Sequence, residues 1–412
     1  MVDPVNYQNR DLSHVDCDVA YARETVGKFI AALDKCGGVR EGLKLLELGP
    51  GYDLGAQLLL ASMGVDVTLA DRYLAKWDSK FHPVMYQTLH DGWDGPKSEL
   101  AKALANGGYE GTRLRLIAEP AENLRSIPDA SFDIIYSNAV LEHITDLGRV
   151  ASEAARVVKP GGYGYHKIDW RYHRDFDRPI DHLVMKENIF LIAAEDALWE
   201  FGNRFRSIEF WNHFEAVGFQ MLEREVTDRA TPDYVRAVTP ALRDSISSYR
   251  EWPAVDLDKV SGIMFMTRLE GPAAALVKER ARDTLGLIDA VKRASLASGK
   301  ALNRLAERDR RDDVRDFVID PALAKHDGLM WSVQIPGLPI GDRVGDGYCS
   351  QSLLFEDSDE LGPAHSIHEH IRTRGQGRFS HWNDSVLFST SDNSSPLGNG
   401  RRYVLRVSEG EG

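Results

Sequence analysis

Between Lys44 and Leu269, short apolar runs alternate with longer segments of helical period. That is the pattern of a parallel sheet covered by helices on both faces. Seven strands are expected: Lys44 to Leu48, Val65 to Ala70, Leu114 to Ala118, Phe132 to Ser137, Tyr163 to Ile168, Gln220 to Val226 and Gly262 to Leu269. Ahead of them, Val19, Ala22, Val26, Phe29, Ile30 and Leu33 recur at helical spacing in Asp16 to Cys36, and Gly37-Gly38 is a helix stop. The long insertion from Arg72 to Arg113 carries Tyr73, Trp77, Phe81, Tyr86 and Trp93 and reads equally as a lid or as packing.

The strand at Lys44 runs into LLELGPGYDLG, where Gly49-Pro50-Gly51 lets the backbone turn sharply and approach a ligand. A dinucleotide site uses the same device, but its GxGxxG spacing is missed here. The third glycine, Gly55, comes one position late, with Leu54 in its place. The second strand ends at Asp71, an acid suited to the two hydroxyls of a ribose in either class of site.

Past Pro272 the chain turns helical and highly charged, with Val277, Ala281, Leu285, Ile288, Leu302 and Leu305 as a broken apolar stripe. The run RLAERDRRDDVRD is either a solvated helix face or a contact for a partner helix, including a homodimer through this linker. Beyond Asp327, Gly, Ser, Asp and Asn separate short alternating segments, and Asn383-Asp384 reads as a hairpin turn. The expected domains are 1–271, a helical linker over 272–326, and a small β domain over 327–412.

Composition excludes several classes. The 412 residues carry a net charge of −13, which repels a phosphate backbone, so no nucleic-acid partner is expected. Cys17, Cys36 and Cys349 form no CxxC pair, which argues against a disulfide framework and a structural zinc site. The polar start MVDPVNYQNRDLSH is unlike a signal peptide, and no run is long and apolar enough to span a bilayer. A cytoplasmic protein is expected.

ELGPG, the acid at Asp71, AENL, SFDIIYSNAVLEHI and VVKPGG occur in the order seen in class I S-adenosylmethionine-dependent methyltransferases. Over roughly residues 40 to 270 the chain resembles that family, in its type 11 form. The resemblance implies an α/β, Rossmann-like seven-stranded sheet whose last strand is antiparallel, with S-adenosylmethionine across the C-terminal strand ends. By position, Glu47, Gly49, Pro50 and Gly51 match the loop beside the cofactor's methionine part, and Asp71 matches the ribose acid. Ala121 and Glu122 match the segment beside the adenine, and Ser137 and Asn138 match the strand end near the methionine amine. Tyr52-Asp53 departs from the pattern, since many members have another glycine there.

Methyl transfer from a sulfonium is an in-line displacement that depends on alignment, and a protonated acceptor such as a hydroxyl also needs a base. Candidates are His143, just after the fourth strand, and the stretch YHKIDWRYHRDFDRPIDH. In that stretch His166, Asp169, His173, Asp175, Asp177 and His182 cluster with Arg171, Arg174 and Arg178. Alternation puts His166, Ile168 and Trp170 on one face, and Asp169 at the strand's C-terminal end. His173 or Asp169 as base, an arginine clamp for an anionic acceptor, and a metal held by carboxylates all remain open; the expectation is catalysis by His143, Asp169 and His173 without a metal.

His365, His368, His370 and His381 stand in a C-terminal segment whose wording resembles a region of enzymes that assemble surface polysaccharides. Exposed Trp382, Arg378 and Asn383 would then suit a sugar, while the alternative is that Trp382 and Phe379 pack the small core. The expected activity is methyl transfer to a hydroxyl of a sugar or glycan intermediate. A small nitrogen or phosphorus-linked acceptor and a non-catalytic, cofactor-binding scaffold of a polysaccharide assembly are the alternatives.

Overall fold

The computed structural model describes residues 10–74, 76–306, 314–343, 350 and 352–408. The chain divides into two compact units: Met1–Ile180 with Gly202–Arg236 and Trp252–Val291, and Asp181–Phe201 with Ala237–Glu251 and Lys292–Gly412. Segments from the middle of the chain thus group with its C-terminal part, a division that no linear cut at residues 271 and 326 reproduces.

The first unit is built on strands β1 (Lys44–Leu48), β2 (Asp66–Ala70), β3 (Leu114–Ile117), β4 (Phe132–Asn138), β5 (Val158–Asp169), β6 (Phe219–Arg229) and β7 (Lys259–Arg268). Their order is β3-β2-β1-β4-β5-β7-β6. β1 pairs in parallel with β2 and β4, β4 pairs in parallel with β5, and β7 lies antiparallel to β5 and β6. This is the seven-stranded, Rossmann-like sheet with an antiparallel last strand that the resemblance implies. Chain order reverses between β1 and β4, the switch point beside which open α/β sheets bind ligands.

Alternation sorts the strands into two cores. Leu45, Ile134 and Tyr136 face α1 (Val15–Asp34) and α2 (Gly55–Ser62), whereas Leu46, Leu48 and Ile135 face the side of α5 (Leu147–Val157) and α7 (Ser207–Glu215). α1 ends where expected, with the Gly38 N–H donating to the Leu33 carbonyl at 2.9 Å. The insertion forms α3 (His82–Asp91) and α4 (Ser98–Asn106), and Phe81, Met85, Tyr86, Leu89 and Leu100 join the first core. Its aromatic residues therefore pack, apart from Tyr73, which is exposed.

β5 starts five residues before the expected Tyr163, because Lys159 to Gly162 bulge out between the pairs Phe132–Val158 and Ile134–Tyr163. The bulge is glycine's doing. Gly161 is in the left-handed region, and a Cβ on Gly162 would meet the Lys159 and Asp133 carbonyl oxygens at 2.8 and 2.9 Å.

The second unit holds α6 (Glu187–Phe201) and the C-terminal strands; α8 (Pro232–Asp244) and α10 (Gly271–Ala306) run through both units, and α9 (Ala254–Leu257) lies in the first. α10 bears out the expected charged helix as far as Ala306; residues 307–313 lie outside the described residues, and from Val314 the chain is strand where the helical linker was expected to continue to residue 326. Strands β8 (Val314–Ile319), β9 (Lys325–Asp327), β10 (Met330–Gln334), β11 (Ser352–Glu356), β12 (Asp359–Leu361), β13 (Phe379–Trp382), β14 (Ser385–Phe388) and β15 (Tyr403–Ser408) form two four-stranded sheets. Trp331, Leu354, Phe379, Phe388, Tyr403 and Leu405 make their shared core. The Asn383-Asp384 turn joins β13 to β14, with Asn383 at φ 53°. Among the described residues no helix is long and apolar enough to cross a membrane.

The turn after β1 is held at close quarters. Gly49 has φ 62°, and a Cβ there would come within 2.5 Å of Val140 Cγ2, whereas Gly51 at φ 82° would meet nothing within 4 Å. Gly49→Ala is therefore expected to cost about 2–4 kcal/mol, the left-handed penalty plus overpacking, and Gly51→Ala only about 1–2 kcal/mol. Equal losses in urea denaturation would show that Val140 does not constrain the turn.

His166 is fully buried on β5, with Nδ1 2.7 Å from Ser137 Oγ. Burial pushes it down to about 3, against about 6.5 for an exposed histidine. Between those values the unfolded chain binds a proton that the folded chain does not. The resulting stability is full above pH 6.5 and lost as pH falls toward about 3. Denaturation midpoints should drop across that window, and His166→Asn should flatten the slope by up to one proton; an unchanged slope would count against it.

Candidate active site

The register levels the ends of β1, β2 and β4: Leu48 pairs with both Ala70 and Ser137. Gly49 to Gly51, Asp71 and Asn138 therefore emerge together at one edge of the sheet. The Gly49 N–H donates to the Ala70 carbonyl at 2.9 Å and fixes the first step of the turn. The Leu54 N–H then donates to Tyr86 Oη at 3.1 Å, so the packed insertion braces the turn from α3.

Asp53, part of the Tyr52-Asp53 departure, serves the local structure, since its Oδ1 accepts the Gly55 N–H at 3.1 Å and opens α2. Behind it, Glu47 is 3% exposed and accepts from Gln57 Nε2 at 2.9 Å. Burial pushes Glu47 up to about 8, with Asp53 adding to the rise, and burial pushes Asp53 up to about 7. Among the described residues neither acid has an ion-pair partner. Tyr21 adds another oxygen here, with its hydroxyl 3.5 Å from Asn138 Nδ2.

Asp71 stands at the end of β2, where its N–H donates to the Ile117 carbonyl at 3.2 Å and its carboxylate accepts the Tyr73 N–H at 2.7 Å. Burial raises its carboxyl above the usual range. Ala121 and Glu122 lie in the turns after β3; Glu122 is 3.8 Å from Arg72 and accepts the Thr145 N–H at 3.4 Å. Ser137 differs from its neighbours. It is fully buried on the opposite face, with its hydroxyl turned to His166, so only its backbone can line the edge.

A second group gathers at the ends of β4 and β5. A single 3-10 turn, Leu141–His143, follows β4, and Asn203 pins it: Asn203 Nδ2 donates to the Leu141 and Ile144 carbonyls at 2.7 and 3.2 Å. Glu142 is 1% exposed, and burial, reinforced by the Asp169 carboxylate, pushes it up to about 8. Its Oε1 accepts the Asp169 N–H at 3.3 Å. The half-buried rings of His143 and His173 meet edge to face, 4.9 Å between centroids.

Asp169 is bound by Arg171 in a fork, Nε to Oδ1 at 2.9 Å and Nη2 to Oδ2 at 2.6 Å. Arg171 also lies 4.4 Å over the Phe176 ring. Two members of the cluster are thus committed to each other, and Asp175 closes a local turn by accepting the Asp177 and Arg178 N–H groups. His166 and His182 are fully buried, and His182 belongs to the other unit.

Sequence reasoning does not single out Glu142, Asn203, Tyr21 or Tyr86 as site residues. Glu142 carries a local signal, an acid beside a histidine just past a strand; Tyr86 stands out only as one aromatic of the insertion, and Asn203 and Tyr21 come from distant segments and carry none. In the C-terminal sheets Arg378 is fully buried, not exposed as expected, and its Nη1 donates to the Gly375 carbonyl at 2.9 Å. Phe379 is core, Trp382 sits edge-on to His368, and Asn383 is exposed. His381 is held by Ser350 Oγ at 2.7 Å and the Pro339 carbonyl at 2.9 Å.

Residues 88–165 match the family model described as a methyltransferase domain. The chain is 27% identical over 144 residues to a ubiquinone biosynthesis O-methyltransferase of Sinorhizobium medicae (strain WSM419), covering 35% of this chain and 48% of that protein. The chain thus spans about half the length of this curated relative. Among solved structures, an S-adenosylmethionine-dependent methyltransferase from Mesorhizobium loti overlaps 58% of this chain and 96% of its own, at 16% identity and a TM-score of 0.34. One from Methanosarcina mazei overlaps 56% and 95%, at 18% identity and a TM-score of 0.34. The fold rests on the strand order and register above, not on these overlaps. The family match runs from within α3 through β3 and β4 into β5, so the middle of that sheet is similar to a methyltransferase domain.

Proposed function

We propose that the chain moves a methyl group from S-adenosylmethionine to an acceptor hydroxyl, in the first instance on a sugar or glycan intermediate. The observation that carries the acceptor class is the polar ending of β4 and β5. His143, Asp169, Arg171 and His173 are all half-buried there, a lining that suits a polyhydroxylated acceptor better than an apolar one. The fork between Asp169 and Arg171 also counts against an arginine clamp for an anionic acceptor.

The turn fits the donor by charge. Glu47 and Asp53 are two acids with no cationic partner among the described residues, and S-adenosylmethionine brings both a sulfonium and an ammonium. Gly51 leaves open space where a side chain would stand, and Asp71, just past the end of β2, would accept the ribose hydroxyls. Asn138, and Ser137 through its backbone, would border the methionine end, with Ala121 and Glu122 on the adenine side. When bound, the cofactor supplies an electrophilic methyl. The chain's part is to align the acceptor oxygen, an effect that can reach roughly 7–11 kcal/mol, and to see its proton removed, typically about 10²- to 10⁴-fold. In this reading His143, Asp169 and His173 would act on that hydroxyl.

The direct test is to incubate the chain with labelled donor and host glycan extracts; label in sugar-linked methyl ethers is expected. Label confined to nitrogen, or none from any extract, would contradict the proposal.

Linkage gives a further outcome. A cation beside Glu47 and Asp53 binds their ionised forms better, so affinity for S-adenosylmethionine should rise as pH climbs from about 6 to about 8 and level off above. Calorimetry on Glu47→Gln should show a flatter profile. Affinity independent of pH in the unaltered chain would remove the acid pair from the site.

A further inference from the structure

Among the described residues, one group of side chains is arranged to hold a metal ion: Glu142, His143 and His173, with one ligand atom from each within 4.8 Å of the others. The grouping is built rather than incidental. Asn203 pins the turn carrying Glu142 and His143, and β5 delivers His173 just beyond Asp169. Glu142 Oε1 is oriented by the Asp169 N–H, while Oε2 is buried and has no hydrogen-bond partner. A buried carboxylate oxygen left unbonded is costly. Glu142 has no ion-pair partner among the described residues, and a cation shared with the two imidazoles would satisfy it.

We propose that Glu142, His143 and His173 bind a divalent transition-metal ion at the C-terminal ends of β4 and β5. Two imidazoles and a carboxylate favour zinc, manganese, iron or cobalt over magnesium or calcium, which take oxygen ligands. At bonds of about 2.0–2.1 Å the ligand atoms of one ion sit roughly 3.0–3.5 Å apart, so separations of up to 4.8 Å close by at most about 1.5 Å on loading. Three protein ligands leave positions open, and the half-buried histidines put those positions toward solvent. The site adjoins the glycine turn through Val140, which stands against Gly49.

The use of the ion rests on the proposed methyl transfer. It would hold the acceptor hydroxyl and make it more acidic, so that the proton leaves to water. The O–CH3 bond then forms as the S–CH3 bond breaks, and the bonding pair stays on sulfur. His143 and His173 are in this reading ligands, and the expectation of catalysis without a metal is replaced.

The full chain, stripped with a chelator and without donor or acceptor, is titrated with Co²⁺. One equivalent with visible ligand-field bands is expected, lost in Glu142→Gln and in His173→Ala at unchanged circular dichroism. Should a variant fail to fold, zinc-edge X-ray absorption on the unaltered chain decides; two imidazoles and no sulfur are expected. No bound Co²⁺, bands that survive the double variant His143→Ala/His173→Ala, or an edge showing sulfur or no imidazole would overturn the site. Metal binding without S-adenosylmethionine binding would sink the donor reading alone, and the reverse would sink the metal site alone.

Discussion

β1 is hydrogen-bonded on both edges and covered on both faces, and the rest of the first unit is arranged around that double commitment. A strand so placed can use polar side chains only at its end, and Glu47 sits one residue before that end, facing the core of α1 and α2. The reversal of chain order between β1 and β4 puts Gly49 at the switch point of the sheet. Val140 closes against Gly49 from the β4 side, and Tyr86 braces Leu54 from the insertion. The turn is thereby held open by its neighbours instead of by its own side chains.

Charge is distributed with the same economy. Arg171 and Asp169 satisfy each other, as do Arg156 and Glu153 on α5, with Nη2 to Oε2 at 2.7 Å. Glu47, Asp53 and Glu142 stand apart from this pairing, and all three are pushed toward neutrality by burial. Perturbed acids gathered at the ligand edge of an α/β sheet are candidates for a functional site. They fall into two places: Glu47 and Asp53 behind the glycine turn, and Glu142 beneath His143 and His173. That separation matches a reaction between two bound partners, one carrying positive charge and one carrying a proton to lose.

Much of the fold is legible in the sequence because strand alternation and glycine turns are local signals. Lys44–Leu48 is reproduced to the residue, and the Asn383-Asp384 hairpin stands where its sequence predicts. The start of β5 is misplaced because Pro160-Gly161-Gly162 reads as a turn, whereas the chain uses it as a bulge within a strand. The candidate site is legible in its glycines and Asp71 but not in its pairings. Whether Ser137 points up to a ligand or sideways to His166 depends on which face of β4 it occupies and what β5 sets beside it. The meeting of Glu142 with His173 and the burial of Arg378 depend on contacts between distant segments, which spacing alone does not encode.

In the proposed function, the turn from Gly49 to Gly51 seats S-adenosylmethionine with its ribose on Asp71. A crystal structure with S-adenosylhomocysteine tests it most directly. The account predicts ligand density over Gly51, both ribose hydroxyls on the Asp71 carboxylate, and the amino-acid end beside Asn138. A ligand bound elsewhere, or a ribose that leaves Asp71 on the Tyr73 N–H alone, would contradict it.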